Sequence, residues 1–201
     1  NWRRIGHPLR PAHEDLAFVE AALKDWYRRS GGQAPRGLIL GVTPELYQLP
    51  WPDRSLVKAA DRTPEMIEYV WPGPAEAVLH SDWRQLDVPD ASFDIVMCDG
   101  GLHLLDYPDG QAALCRSLAR VVAPGGLAIL RLFTPPTLPE TPEQVLAALD
   151  AGEIANLNCL KLRLGAALQT SPSTGVALRD VWQTLRRDAP NWSGLAARLG
   201  W

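Results

Sequence analysis

The sequence predicts an α/β fold: a doubly wound, mostly parallel sheet with helices on both faces, followed by a helical C-terminal segment. Three observations carry that expectation. Between residues 37 and 132, five short apolar runs bounded by turn residues alternate with helical patterns. Such alternation builds a parallel sheet flanked by helices, and right-handed crossovers leave it few topologies. After Phe133 helical periodicity continues without a convincing strand. At 201 residues, the chain is long enough for one domain with a two-sided core and short for two. The expected organisation is a sheet core with an N-terminal helix over residues 1–133. A helical segment over 134–201 packs on the same domain, placed to form a lid or a substrate wall.

The elements follow in order. In residues 14–29, Leu16, Val19, Leu23, Trp26 and Tyr27 fall at helical spacing, and Ser30-Gly31-Gly32 stops the helix. Gly37-Leu38-Ile39-Leu40-Gly41 reads as a buried first strand. Thr43-Pro44-Glu45 marks a helix start, with a cap, a proline at the first position and an acid in the first turn; Pro50 and Pro52 keep that helix short. The second strand runs over Ser55 to Ala60 and ends at Asp61, after which Thr63-Pro64-Glu65 repeats the start signal. Ala77-Val78-Leu79-His80 is a short third strand ending at Ser81-Asp82-Trp83. Phe93 to Cys98 is a fourth, ending at Asp99-Gly100-Gly101. A helix over 109–121 and the turn Pro124-Gly125-Gly126 lead into a fifth strand, Leu127 to Leu132. Beyond it, Thr141-Pro142-Glu143-Gln144 starts a helix with a capping-box pattern; further helices are expected over 155–169, 174–188 and 193–199.

Composition excludes several classes. Hydrophobic residues make up 46 % and charged residues 21 %, with a formal net charge of −3, so no nucleic-acid partner is expected. Basic residues near both ends are interleaved with acids and read as solvated helix faces. The three cysteines have no C-x-x-C spacing, which fits a reducing, cytoplasmic setting and no disulfide framework. No ligand cluster implies a metal, and no apolar run is long enough to span a bilayer. Eight tryptophans and eighteen prolines, often adjacent, predict indoles packed over rigid loops. Starting at Asn1 and stopping at Trp201 is what a fragment of a longer protein would show.

In a doubly wound sheet, ligands bind outside the carboxyl ends of the strands near the topological switch point. Acids stand at three successive strand ends here. Asp61, twenty residues after Gly41, suits a ribose diol, since a carboxylate there accepts two hydrogen bonds; it equally suits a cap for the helix that follows. Asp82 suits the exocyclic amine of an adenine, with Trp83 or Met66 against the ring, or simply a turn cap. Asp99 suits an amino group or a position near a positive charge, or a turn before Gly100-Gly101. His103, in the apolar stretch Leu102-His103-Leu104-Leu105, is either a half-buried packing histidine or, with Asp99, a candidate general base. Tyr107, Arg131 and Phe133 are further candidates for the pocket wall.

Ser92-Phe93-Asp94-Ile95-Val96, the helix over 109–121 and Val122-Ala123-Pro124-Gly125-Gly126-Leu127 resemble the fourth-to-fifth-strand segment of the class I S-adenosylmethionine-dependent methyltransferases. Asp61-Arg62-Thr63-Pro64-Glu65-Met66-Ile67 resembles their second-strand motif, and Ser81-Asp82-Trp83 the third-strand motif that contacts adenine. The ordered series covers roughly residues 36–133, about half the chain. The resemblance implies a Rossmann-like fold with S-adenosylmethionine as cofactor and S-adenosylhomocysteine as product. It implies a site over Gly41, Thr43, Asp61, Arg62, Met66, Ser81, Asp82, Trp83, Asp99 and Gly100, with Asp61 on the ribose and Asp82 near adenine. The acceptor side then lies above Asp99 and Gly100, and a small molecule is the expected acceptor.

The chain departs from that family in two places. Its first motif is degenerate: Ile39 stands for the usual acid, and Thr43 and Glu45 stand where later glycines are expected. Those glycines let backbone approach the ligand; Thr43 offers a hydroxyl and the helix start its amides instead, while Glu45 faces the cofactor's positive end or is a plain first-turn acid. The family's last two strands are also missing, so the fifth strand is an edge to be covered by residues 134–201, by a second copy in a homodimer or by a C-terminal tail. The expected function is methyl transfer; the alternative is a catalytically inactive methyltransferase-fold binding or regulatory module. A nicotinamide-dependent enzyme lacks its G-x-G-x-x-G fingerprint after Gly41.

Overall fold

The computed structural model describes residues 5–134, 136–171, 173–188, 194, 195 and 199. They fall into two compact units: Pro11–Phe133, and the described residues of 1–10 together with those of 134–201.

The first unit is built on five parallel strands, β1 (Gly37–Leu40), β2 (Val57–Asp61), β3 (Val78–His80), β4 (Phe93–Asp99) and β5 (Val122–Arg131), in the order β3-β2-β1-β4-β5. The winding reverses between β1 and β4. Apolar runs fill both faces: every residue of β1 is buried, as is nearly all of β4, as expected of a sheet covered on both sides. One face packs against α1 (His13–Arg29), α2 (Pro44–Tyr47) and α3 (Pro64–Val70), through Leu23, Trp26, Leu46, Ile39 and Met97. The other packs against α4 (Asp109–Val121), through Leu114, Leu118, Leu40 and Val96.

Register sets the strand ends side by side. Leu40 of β1 aligns with Ala60 of β2 and with Cys98 of β4. One step further along, Asp61 and Asp99 end β2 and β4 on either side of Gly41, whose amide donates to the Ala60 carbonyl at 2.8 Å.

Several expected boundaries shift for identifiable reasons. The second strand starts at Val57, because Asp53 accepts a 2.9 Å hydrogen bond from the Ser55 amide and folds Arg54–Leu56 into a 3₁₀ turn. The third starts at Val78 after a 3₁₀ turn over Ala75–Ala77. The fifth starts early, at Val122, which pairs with Phe93. The next paired residue, Leu127, faces Ile95, so Pro124-Gly125-Gly126 is an excursion inside β5 rather than a turn before it. Gly126 is needed there: a Cβ would lie 2.7 Å from the Asp94 carbonyl oxygen.

Polar anchors fix the frame. Arg36, just before β1, donates from its amide, Nε and Nη2 to the Asp94 carboxylate at 2.9, 2.9 and 2.8 Å, and this charge-assisted fork holds Asp94 below the usual carboxylate range. Three buried tryptophans donate to backbone carbonyls, Trp26 to Gly125, Trp51 to Leu46 and Trp71 to Pro74. They satisfy the indole N–H while burying the rings.

The second unit holds α5 (Pro142–Asp150), α6 (Leu157–Leu168) and α7 (Leu178–Asp188), packed through Val145, Leu149, Leu160, Leu164, Val181 and Leu185. Thr141 and Gln144 form the expected reciprocal cap at 3.3 and 2.8 Å. Asn156 caps α6 through the amides of Asn158 and Cys159. No strand follows β5 among the described residues. Most of the helix expected over 193–199 lies outside them. No helix among the described residues is long and apolar enough to cross a membrane.

Candidate functional site

Two cavities open at the carboxyl edge of the sheet in the first unit. One, of about 190 Å³, is lined by Asp61, Arg62, Thr63, Met66, Ser81, Asp82, Trp83, Leu104 and Leu105. It unites six of the ten binding residues expected from the sequence. Asp61 ends β2 with only 7 % of its surface exposed. Its Oδ1 accepts a 2.8 Å hydrogen bond from the Thr63 amide, so it does cap the turn before α3. A carboxylate has about four acceptor positions, and one cap leaves capacity for a ligand hydroxyl.

Asp82 caps the turn over Trp83–Gln85, as one of its sequence readings expects, and is also paired with an arginine. Its Oδ1 accepts from the amide and Nε of Arg84, both at 2.9 Å, and its Oδ2 from Nη2 at 2.6 Å. Arg62 lies 4.0 Å away. These partners, Arg84 first, pull the Asp82 carboxyl down to about 2, so it is ionised at any physiological pH. In the sequence only the spacing Asp82-Trp83-Arg84 signals this fork. Thr63, Leu104 and Leu105 have no such signal as walls.

Trp83 crosses the strand ends. Its Nε1 donates to the Ala60 carbonyl at 2.6 Å. A Cβ on Gly41 would meet its Cζ2 at 3.6 Å, and a Cβ on Gly101 would meet its Cζ3 at 2.7 Å. The indole thus reaches from β2 past β1 to the loop after β4. Gly41 adopts φ +90°, a conformation that favours glycine.

The second cavity, of about 230 Å³, lies between α1 and the ends of β4 and β5. Leu16, Phe18, Val19, Leu46, Met97 and Ile129 make its apolar wall, and Glu14, Asp15, Asp99 and Arg131 its polar part. Asp99 pairs with Arg131, and Asp15 sits 3.8 Å from the same guanidinium. Burial pushes the Asp99 carboxyl up; Arg131 opposes that, and the charges of Asp15 and Glu45 add to it. The α1 residues of this cavity had no signal beyond acids in a first helical turn.

The remaining candidates separate. Thr43 is buried and lines neither cavity. The helix it precedes, α2, spans only four residues. Gly100 adopts φ +64° with the Phe133 ring against it. Tyr107 is 54 % exposed and lines neither cavity. His103 stacks with Phe133 at 5.2 Å, and its Nε2 accepts a 2.7 Å hydrogen bond from the Phe133 amide. The proton of the neutral ring is then on Nδ1, so in this arrangement His103 presents a donor. Burial, with Arg131 nearby, lowers its pKa.

A family profile described as a methyltransferase domain matches residues 40–130. No curated protein matches the chain. Among solved structures, the chain is similar to S-adenosylmethionine-bound CalS10, an amino pentose methyltransferase from Micromonospora echinaspora, with TM-score 0.52 and 21 % identity over 65 % of this chain and 54 % of that one. It is also similar to NodS, an N-methyltransferase from Bradyrhizobium japonicum in complex with S-adenosylhomocysteine, with TM-score 0.44 and 17 % identity over 64 % of each chain. The chain thus spans between about half and two thirds of the length of these two structures. Residues 40–130 thus match a methyltransferase-domain profile, and the sheet shares the Rossmann-like fold of S-adenosylmethionine-bound CalS10.

Proposed function

We propose that this chain is an S-adenosylmethionine-dependent methyltransferase acting on a small-molecule acceptor and yielding S-adenosylhomocysteine. The observation that carries the reading is the cavity beside the switch point, where a buried carboxylate (Asp61) and an ionised one (Asp82) face a wall of Met66, Leu104 and Leu105. These residues fit an adenosine: a diol acceptor, an acceptor for an exocyclic amine and apolar surfaces for a ring.

The bound cofactor supplies an electrophilic methyl group on a sulfonium. The chain's own residues bind and orient. Asp61 holds the ribose hydroxyls and Asp82, braced by Arg84, stands at the adenine side. Asp99, balanced by Arg131, lies toward the amino-acid end. The α1-side cavity then offers an apolar, partly enclosed place for an acceptor, so much of the rate comes from holding two reactants close and aligned. His103, with its Nε2 lone pair occupied by the Phe133 amide, lines neither cavity and does not serve as the base. This favours an acceptor that is nucleophilic without a base, such as a neutral amine. CalS10, similar in fold, is an amino pentose methyltransferase, and an amino sugar carries an amine of that kind.

The alternative is a binding or regulatory module, which the replacement of motif glycines by Thr43 and Glu45 favours. Turnover separates the two. With S-adenosylmethionine and a panel of small amines and amino sugars, the proposal expects S-adenosylhomocysteine formation that Asp61→Ala abolishes. Cofactor binding without turnover on any acceptor supports the module.

A further inference from the structure

The indole of Trp83 lies across the ends of three strands. One end is tied to β2 through the 2.6 Å bond to the Ala60 carbonyl. Its ring carbons pass over Gly41 at the end of β1 and lie against Gly101 after β4, where an added Cβ would be 2.7 Å from Cζ3. Ala60, Leu40 and Cys98 are in register, so the indole runs along the same row that separates Asp61 from Asp99. It also lines the Asp61–Asp82 cavity and is only partly buried.

We infer that Trp83 is a specificity-determining residue that recognises the positive sulfur of the cofactor through its aromatic ring. The inference rests on the function proposed above. In S-adenosylmethionine the sulfonium joins the ribose to the amino-acid portion. With the ribose at Asp61 and the amino-acid end toward Asp99, that sulfur lies between the two acids, on the stretch the indole spans. A cation close to an indole face is attracted by the ring quadrupole, and tryptophan is the strongest such partner. The chain has lost the later glycines of the first motif, and with them part of the close backbone approach. An indole braced on Gly41 and Gly101 supplies a rigid surface in the same region. Gly101 fits this role, since any larger residue there pushes the ring away.

The test uses the charge difference between the two cofactor forms. S-adenosylmethionine carries the sulfonium charge, whereas S-adenosylhomocysteine has a neutral thioether in the same framework. Dissociation constants for both are measured by calorimetry on the wild-type chain, Trp83→Leu and Trp83→Phe, each checked for folding by thermal unfolding. Trp83→Leu is expected to weaken S-adenosylmethionine relative to S-adenosylhomocysteine by roughly three- to thirtyfold, with Trp83→Phe between it and the wild type. A purely structural indole weakens both ligands alike and leaves the ratio unchanged, which overturns the inference. Tighter binding of both ligands by Trp83→Leu identifies the indole as a plug and overturns it too. Should the wild-type chain bind neither ligand, the proposed function itself fails and this inference falls with it; an unchanged ratio on intact binding defeats the inference alone.

Discussion

Asp99 and Arg131 end β4 and β5 as partners in register and form an ion pair in which only 6 % of the aspartate and 18 % of the arginine side chain is exposed. Breaking a buried pair leaves an uncompensated charge. Arg131→Met is therefore expected to destabilise the chain by about 3 kcal/mol at neutral pH, measured by urea unfolding. The Asp99 pKa is already raised in the fold, so ionising it costs stability, a penalty fully present above the folded pKa and relieved as pH falls through it toward the unfolded one. The deficit of Arg131→Met should shrink on acidification and in the double variant with Asp99→Asn. A deficit independent of pH and of Asp99 contradicts this account.

The hydrogen bond from the Phe133 amide to His103 Nε2 fixes a tautomer. Nitrogen NMR is expected to show His103 protonated on Nδ1 at pH 7.5, titrating below the ordinary histidine value of about 6.5. A folded-state pKa below the unfolded one means that the stability from this contact is fully present above about pH 6.5. It is lost as pH falls from there through the folded pKa. Protonation on Nε2, or titration above that value, rules out the donor role.

The three bonds from Arg36 to Asp94 tie the entry of β1 to β4. Asp94→Ala removes them and leaves the Arg36 amide without its carboxylate, at an expected cost of about 2 kcal/mol; Asp94→Asn keeps an acceptor and costs less. The Asp94 pKa is depressed in the fold, so its contribution is present above the unfolded carboxylate pKa and is lost as pH falls through the folded one. Equal stability of all three proteins in acid-dependent unfolding would remove this anchor from the account.

A Cβ at Gly101 would sit 2.7 Å from both the Trp83 ring and Cys98 Sγ. Gly101→Ala is therefore expected to displace the indole from the Ala60 carbonyl, destabilise the fold by about 1–3 kcal/mol and weaken cofactor binding. Wild-type stability in thermal unfolding, with the indole N–H shift unchanged by NMR, would show that the contact is not tight.

Much of this architecture was legible because it is written in periodicity and strand length. The run Gly37-Leu38-Ile39-Leu40 allows only a buried strand, and Thr63-Pro64-Glu65 announces α3. Parallel crossovers then bring Asp61 and Asp82 to one edge whatever the loops do. Other features depend on how side chains meet in three dimensions. Nothing in the spacing says that Trp83 reaches across three strand ends, or that α1 carries Asp15 to Arg131. Nor does it say that His103 takes a backbone proton donor 30 residues away. The Pro124-Gly125-Gly126 excursion reads as a turn because sequence pattern shows the breaker residues but not that the ladder resumes on both sides of them.

The central claim is that the Asp61 cavity holds S-adenosylmethionine, and calorimetric titration of the purified chain tests it most directly, with Asp61→Ala as the comparison. The account predicts saturable one-to-one binding by the wild-type chain that is lost or weakened at least about tenfold in the variant, the loss of a charge-assisted bond to the ribose being worth 1.5–3 kcal/mol in typical cases. Folded wild-type protein that takes up no cofactor, or a variant that binds it as tightly as the wild type, would contradict it.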